Sequence, residues 1–451
     1  MTSLPETLDA LLDPGNSEVV AFDSQFPWDD DDYFQTLSRA RGRSGVDESV
    51  LVLRARIAGH PVVVIGGEFA FLAGSIGQAA ADRVVMGYLH ATAERLPVIT
   101  LPTSGGTRMQ EGTAAFFRMT DIARVAGEHR ATGAVRIGWL RNPTTGGVMA
   151  TWGSYADVTA AEPGALLGFL GPRVYEALHE RPFPEGVQTS ENLARVGVID
   201  DVVALPDLYA WVRGILDVTN GRDEHLPVQP PGDGGVVDAW EAVERTRGPR
   251  PGPDTVLDLL TSRTELHGTG AGENGRGIRV CLGRLRGRRV VVIAQTRQGV
   301  TPGDLRFARR GLHLAQRWGV PVVTLIDTPG GELSVAAEEG AMAGEIARTL
   351  QDLTALTVPS VSCIMGQGCG GAALALIPAK TRLCLENGWV SPLPPEGASV
   401  ISHRTPDRAA EMARQQGVGA TSLLAAGVID GVLAEGPDLA ETVADAVAAA
   451  L

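Results

Sequence analysis

Four glycine pairs carry the chemistry available to this sequence: Gly105-Gly106, Gly146-Gly147, Gly330-Gly331 and Gly370-Gly371. Glycine has no Cβ, so a ligand can approach the backbone closely and the N–H groups can turn outward. At the first turn of a helix those N–H groups lack intrahelical partners, and the dipole adds partial positive charge. A developing oxyanion needs such donors. A single pair reads as a turn, whereas four pairs at matching places in the chain point to backbone donors. No side-chain nucleophile accompanies them. Gly-x-Ser-x-Gly and His-Glu-x-x-His are both missing, and none of the eight histidines lies within a few residues of a pair. Such a site fits an enolate whose proton is taken by the substrate or cofactor itself.

Other residue types narrow the choice. Cys281, Cys363, Cys369 and Cys384 form no Cys-x-x-Cys, so they read as buried apolar residues and no structural zinc is expected. Lys380 is the one lysine, which excludes a phosphate loop ending in Gly-Lys-Ser/Thr. A net charge of −14 argues against nucleic acid, and the acidic run Asp29–Asp32 reads as solvated surface. With 44% hydrophobic and 20% charged residues the 451-residue chain is globular. No apolar run is long enough to cross a membrane, no signal peptide is read, and a cytoplasmic location is expected.

The elements that must position the glycines recur with a period of about 225 residues. Pro61–Ile65 returns as Arg289–Ile293, Pro97–Thr100 as Pro321–Thr324, Gly146-Gly147 as Gly370-Gly371, and Gly197–Asp200 as Gly427–Asp430. In the same register Ser104-Gly105-Gly106 pairs with Pro329-Gly330-Gly331. Val62–Ile65, Val98–Leu101, Val290–Ile293 and Val322–Ile326 read as strands covered on both faces, while Thr107–Val125 and Leu305–Trp318 show helical spacing. Two α/β domains follow, 45–220 and 256–451. A Pro/Gly-rich stretch, 221–255, reads as a linker with a short helix around Trp240, and 1–44 as an acidic N-terminal segment.

Longer motifs resemble a known family. Glu68–Gly77, Ser104–Glu111, Pro143–Gly147 and Ala161–Arg173 are similar to the β subunit of bacterial acetyl-CoA carboxylase carboxyltransferase. Glu265–Gly268, Ile326–Gly330, Ala337–Glu339, Glu345–Arg348, Gly366–Gly368 and Pro395–Gly397 resemble its α subunit, so the chain resembles a β–α fusion. The resemblance implies two tandem crotonase-like domains, each a spiral of ββα turns. It implies a coenzyme A thioester on the first half, with Ser75, Gly77, Arg108 and Arg173 as binding residues. Donors around Gly105-Gly106 and Gly146-Gly147 would hold the thioester oxygen. Carboxybiotin on a carrier protein would face the second half, with Gly330, Gly331 and Gly370 binding it and Gly371-Ala372 holding its ureido oxygen. A biotin carboxylase, a biotin carboxyl carrier protein and a homo-oligomer with sites composed from two protomers are implied partners.

The sequence departs from that family in three places. The four-cysteine zinc ribbon is replaced by the acidic segment, a glutamate of the α-type glycine-rich stretch has become Gln367, and Pro392 and Pro394 precede Pro395-Glu396-Gly397. The last two changes fall on the biotin side and keep two other readings open. One is a biotin-independent decarboxylase of a malonyl thioester, on coenzyme A or an acyl carrier protein. The other is a non-catalytic scaffold subunit of a carboxylase.

Overall fold

The computed structural model describes residues 2–20, 31–224, 226–228 and 232–451; the side chains of Pro172 and Arg173 lie outside that description, as do Asp29, Asp30, Pro230 and Pro231. The chain divides into two compact units, Met1–Leu216 and Asp217–Leu451. In the first, the order of the main sheet is Glu18–Val19, Val50–Ile57, His60–Gly67, Val98–Leu101, Arg136–Leu140, Val158–Ala161 and Asp201–Val202. The first three pair antiparallel and the rest parallel, with Val63 opposite Val98 and Val98 opposite Arg136. The second unit repeats the pattern with Thr261–Leu266, Ile278–Leu285, Arg288–Gln295, Val322–Thr328, Ser360–Cys369, Thr381–Leu385 and Gly431–Leu433. Both are mixed α/β layers with parallel sheets, as duplication predicts.

Continuous burial explains the continuous apolar runs. All seven residues of Val322–Thr328 are buried, because helices cover both faces of a parallel sheet. In the first unit, helices Gln78–Glu94 and Gly112–Ala131 press Val84, Tyr88, Ile122 and Val125 onto Val63 and Ile65. The second of these helices begins later than the spacing at Thr107 suggests. Gly106 and Gly112 both take positive φ, so residues 107–111 form loop and a single 3-10 turn. Helix Pro302–Trp318 starts where Thr301 and Asp304 form a capping box.

The acidic N-terminal segment and the Pro/Gly-rich stretch both carry packed helices. Within 1–44, helix Leu4–Leu11 buries Leu4 and Leu11, and the Leu4 N–H reaches Glu68 Oε2 at 3.0 Å. Helix Asp31–Ser44 buries Tyr33, Leu37 and Ala40 beside Phe71. The stretch 221–255 lies inside the second unit and is not a free connector. Its helix Ala239–Arg247, capped by Asp238, seats Val243 among Cys369, Trp389, Ala413 and Val418. Pro253 opens helix Pro253–Leu257, where the missing N–H costs nothing, and Leu257 is fully buried.

Candidate functional site

Strand Val98–Leu101 delivers the chain to Gly105 and Gly106. Gly106 has φ +117°, a conformation open to glycine. Its carbonyl accepts the Ile76 N–H at 3.0 Å, its own N–H goes to Ser104 Oγ at 2.9 Å, and the Gly105 N–H goes to Ala73 O at 3.0 Å. Gly146, with φ +62°, opens the turn Gly146–Met149 and gives its N–H to Phe169 O at 3.1 Å. The backbones meet closely: a Cβ on Gly146 would stand 3.4 Å from Gly106 Cα, and a Cβ on Gly106 4.0 Å from Gly147 N.

Three of the N–H groups expected as donors are already engaged. Gly105, Gly106 and Gly146 shape the gap, but their N–H groups are taken. Gly147 sits second in its turn, so its N–H has no intrahelical partner. Thr107, which sequence reasoning missed, joins it. Thr107 bridges Ile76 in parallel fashion, which turns its own N–H to the opposite side from Ile76. A Cβ on Gly147 would stand 3.2 Å from Thr107 Oγ1.

The second unit rebuilds the arrangement. Gly330 has φ +128°, accepts the Val300 N–H at 3.0 Å and donates to Thr328 Oγ1 at 3.1 Å, as Gly106 does with Ile76 and Ser104. Gly370, φ +70°, opens helix Gly370–Leu374 as Gly146 opens its turn. Gly330 therefore matches Gly106, and Gly331 matches Thr107. Pairing Gly105-Gly106 with Gly330-Gly331 by letters is one residue out of register, because backbone hydrogen bonds set the equivalence. Gly371 and Ala372, second and third in the helix, keep leading N–H groups without intrahelical partners. Gly331 lies alongside: a Cβ there would be 3.7 Å from Ala372 Cβ.

Arg108, expected to bind cofactor, does something else. Its side chain is 0% exposed and pairs with Glu48 and Glu111. It also donates to Ser75 O at 2.9 Å and Ser75 Oγ at 3.3 Å, and contacts the Tyr33 hydroxyl at 3.3 Å. Nothing of the guanidinium is left for a phosphate. Glu111 accepts from Tyr33 at 2.5 Å and from the Gln78 N–H at 2.6 Å. Burial, with that hydrogen bond, pushes the Tyr33 phenol up and keeps it protonated. Gly77 packs against the same group, since a Cβ there would lie 2.1 Å from Glu111 Oε1. The half-buried Ser75 and the buried Gly77 and Arg108 thus belong to one hub. The motif Ser104–Glu111 contains half of it; nothing in the sequence marks Tyr33 or Glu48 as partners. The side chain of Arg173 lies outside the described residues.

On the biotin side of the sequence reading, the Gln367 N–H reaches Asp327 Oδ1 at 3.0 Å, and Arg250 grips Asp327 Oδ2 at 2.5 Å. Burial raises the Asp327 pKa against the pull of Arg250. A Cβ on Gly366 would strike Arg250, so glycine there lets the arginine pass. Pro392 O would be 3.6 Å from a Cβ on Gly370, and Glu396 is held by both Nη atoms of Arg247 at 2.6 and 3.0 Å. All four cysteines are buried and unpaired. Burial pushes Cys281 and Cys363 up to about 12 and Cys369 to about 11, which leaves them protonated thiols. Among the described residues no group of three or more His, Cys, Asp or Glu could hold a metal ion, and no helix is long and apolar enough to cross a membrane.

Residues 16–435 match the carboxyl transferase domain family. A probable biotin-dependent acyl-coenzyme A carboxylase beta3 subunit of Mycobacterium tuberculosis is 47% identical over 420 residues, spanning 91% of this chain and 85% of that protein. The acetyl-coenzyme A carboxylase carboxyl transferase subunits beta/alpha of Salinispora tropica are 36% identical, over 96% of this chain and 82% of that protein. Among solved structures, the transcarboxylase 12S hexamer with methylmalonyl-coenzyme A bound superposes with TM-score 0.80 at 19% identity, over 100% of this chain and 89% of that one. A single-chain, multi-domain long-chain acyl-CoA carboxylase gives TM-score 0.79 at 21% identity, over 98% of this chain and 45% of the other.

Proposed function

The chain belongs to the carboxyl transferase domain family, and from that premise we propose that it moves the carboxyl group of carboxybiotin onto acetyl-CoA to give malonyl-CoA. It is the carboxyltransferase subunit of a biotin-dependent acyl-CoA carboxylase; the choice of acetyl-CoA is the finer part of the reading. One observation supports it best. The Gly147 N–H stands without an intrahelical partner at a close backbone approach, and the second unit repeats that geometry around Ala372.

The Gly147 and Thr107 N–H groups hold the thioester oxygen, and Gly371 and Ala372 hold the ureido oxygen of biotin. Biotin held at Gly371 and Ala372 would supply the CO2 and, through its ureido nitrogen, the base for the α-proton of acetyl-CoA. The enolate, its charge on the held oxygen, then attacks CO2. The protein contributes placement and preorganised donors, and no side-chain base is required. A biotin carboxylase and a biotin carboxyl carrier protein complete the system, and the subunit works as a homo-oligomer.

Gln367 and the prolines before Glu396 favour a second reading, decarboxylation of a malonyl thioester without biotin. Incubation of the purified protein with malonyl-CoA, with and without free biotin, separates the two by mass analysis of the thioesters. Biotin-dependent loss of malonyl-CoA supports carboxyl transfer. Release of acetyl-CoA at the same rate without biotin overturns it. Propionyl-, butyryl- and long-chain acyl-CoA, offered with the carboxylated carrier, test the acyl group; a preference for any of them over acetyl-CoA overturns that part.

A further inference from the structure

The turn that carries Gly371 and Ala372 is held by a side chain from a neighbouring strand. Gln295 ends strand Arg288–Gln295 and is 0% exposed. Its Nε2 donates to Ala372 O at 3.0 Å, whereas its Oε1 is buried without a hydrogen-bond partner among the described residues. Two oxygens cannot pair, so the amide must present its nitrogen to the carbonyl. Within the turn, the later N–H groups go elsewhere: Ala375 donates to Gly371 O and Leu376 to Ala373 O. Ala372 O therefore depends on Gln295.

The first unit solves the same problem differently. There Val148 occupies the place of Ala372, two residues after the positive-φ glycine. Its carbonyl accepts the backbone N–H groups of Thr151 at 3.1 Å and Gly153 at 3.0 Å. The duplicated scaffold thus replaces a backbone lock with a side-chain amide in the second unit alone. Half of that amide is left unpaired, which is costly for a buried carbonyl. An apolar side chain of the same length would avoid that cost, so the amide is kept for its donor.

We propose that Gln295 is a positioning residue for carboxyl transfer: it fixes the Ala372 carbonyl and thereby aims the Gly371 and Ala372 N–H groups at the ureido oxygen. This rests on the reading of those N–H groups given above. Gln295 acts through the turn and does not touch the substrate.

Gln295→Met and Gln295→Glu in the full chain test it, with transfer from malonyl-CoA to free biotin as the assay. Gln295→Met removes the donor at nearly constant volume. Its biotin-dependent kcat falls roughly ten- to a hundredfold, the effect expected when a buried carbonyl loses its one hydrogen bond, while acyl-CoA affinity by calorimetry stays within twofold of wild type. Gln295→Glu adds a pH signature. Burial raises the carboxyl's pKa, and only the protonated form can donate to Ala372 O. Its activity relative to wild type rises as pH falls, whereas the Gln295→Met ratio stays flat. A purely structural role moves acyl-CoA affinity and kcat together in both variants and gives no such rescue, and would overturn the proposal. Wild type that ignores biotin overturns this inference together with the carboxyl-transfer reading. A biotin-dependent wild type with an unaffected Gln295→Met overturns this inference alone. If Gln295→Met does not fold, the pH profile of Gln295→Glu decides, and a flat profile counts against the proposal.

Discussion

Gly147 has ordinary backbone angles, so alanine there tests the gap and leaves the fold alone. The added methyl would lie 3.2 Å from Thr107 Oγ1, at the mouth of the two N–H groups. The N–H itself remains but the methyl obstructs it, and denying the substrate one preorganised donor costs roughly 10²–10³ in turnover. Gly147→Ala is therefore expected to lose that much activity with an unchanged melting temperature; wild-type turnover would remove Gly147 from the site. Gly106→Val differs, because φ +117° strains any side chain. It should lose activity and also about 1–3 kcal/mol of stability, measurable by urea titration. Glu345 supplies a pH test of a buried ion cluster. It is nearly buried and accepts from Arg306 and Arg309 at 3.1 Å and Arg348 at 2.7 Å. Burial alone would raise its pKa, but the three guanidinium groups hold it below the ordinary carboxylate range. A depressed folded pKa contributes stability above the unfolded value, and that contribution vanishes as pH falls through the folded pKa. Glu345→Gln should thus unfold about 2 kcal/mol more easily at pH 7, with the difference from wild type closing below pH ~4. A gap that persists undiminished at pH 3 would contradict the assignment.

Helix Ala239–Arg247 is the element whose role is least visible in its letters. Prolines and glycines around it suggest a connector, yet Val243 is fully buried and Trp389 Nε1 donates to Thr246 Oγ1 at 2.8 Å. Val243→Ala should cost about 1–2 kcal/mol through lost burial and a residual cavity. The same substitution in a true linker would be silent, so equal midpoints in denaturant would refute the packed description. The contrast shows what sequence can carry. Strands such as Val322–Thr328 are legible because burial on both faces demands unbroken apolar letters. Glycine positions are legible because φ +117° at Gly106 and +128° at Gly330 exclude other residues. Which N–H is left free is not legible, since it depends on distant acceptors such as Ala73 and Phe169. For the same reason Arg108 passed as a ligand-binding cation: only the fold brings Glu48 and Tyr33 to it.

At the scale of the molecule, the proposed carboxyl transfer would use two donor sets, one from each unit. Large apolar side chains stand exposed in both units. In the first unit these are Met109, at 83% exposed, with Phe116, Phe117 and Phe169; in the second they are Leu333, at 99%, with Val335 and Ile401. Exposed apolar groups of this size mark surfaces that become covered. A homo-oligomer that closes symmetrically would cover them and set the thioester donors of one copy against the ureido donors of another. Such a contact has to exceed ~1,000 Å² to persist, so light scattering at micromolar concentration should find a dimer or larger. Co-expression then tests the composite site. Gly106→Val and Gly371→Val each disable one set, the latter because a Cβ on Gly371 already meets Ile346 Cδ1 at 3.0 Å. Each variant alone should be inactive. In a mixed oligomer, one copy lends an intact first unit and the other an intact second unit, so random pairing returns up to about a quarter of wild-type activity. A monomer in solution, or no recovery in verified mixed oligomers, would mean that both sets serve one substrate within a single chain.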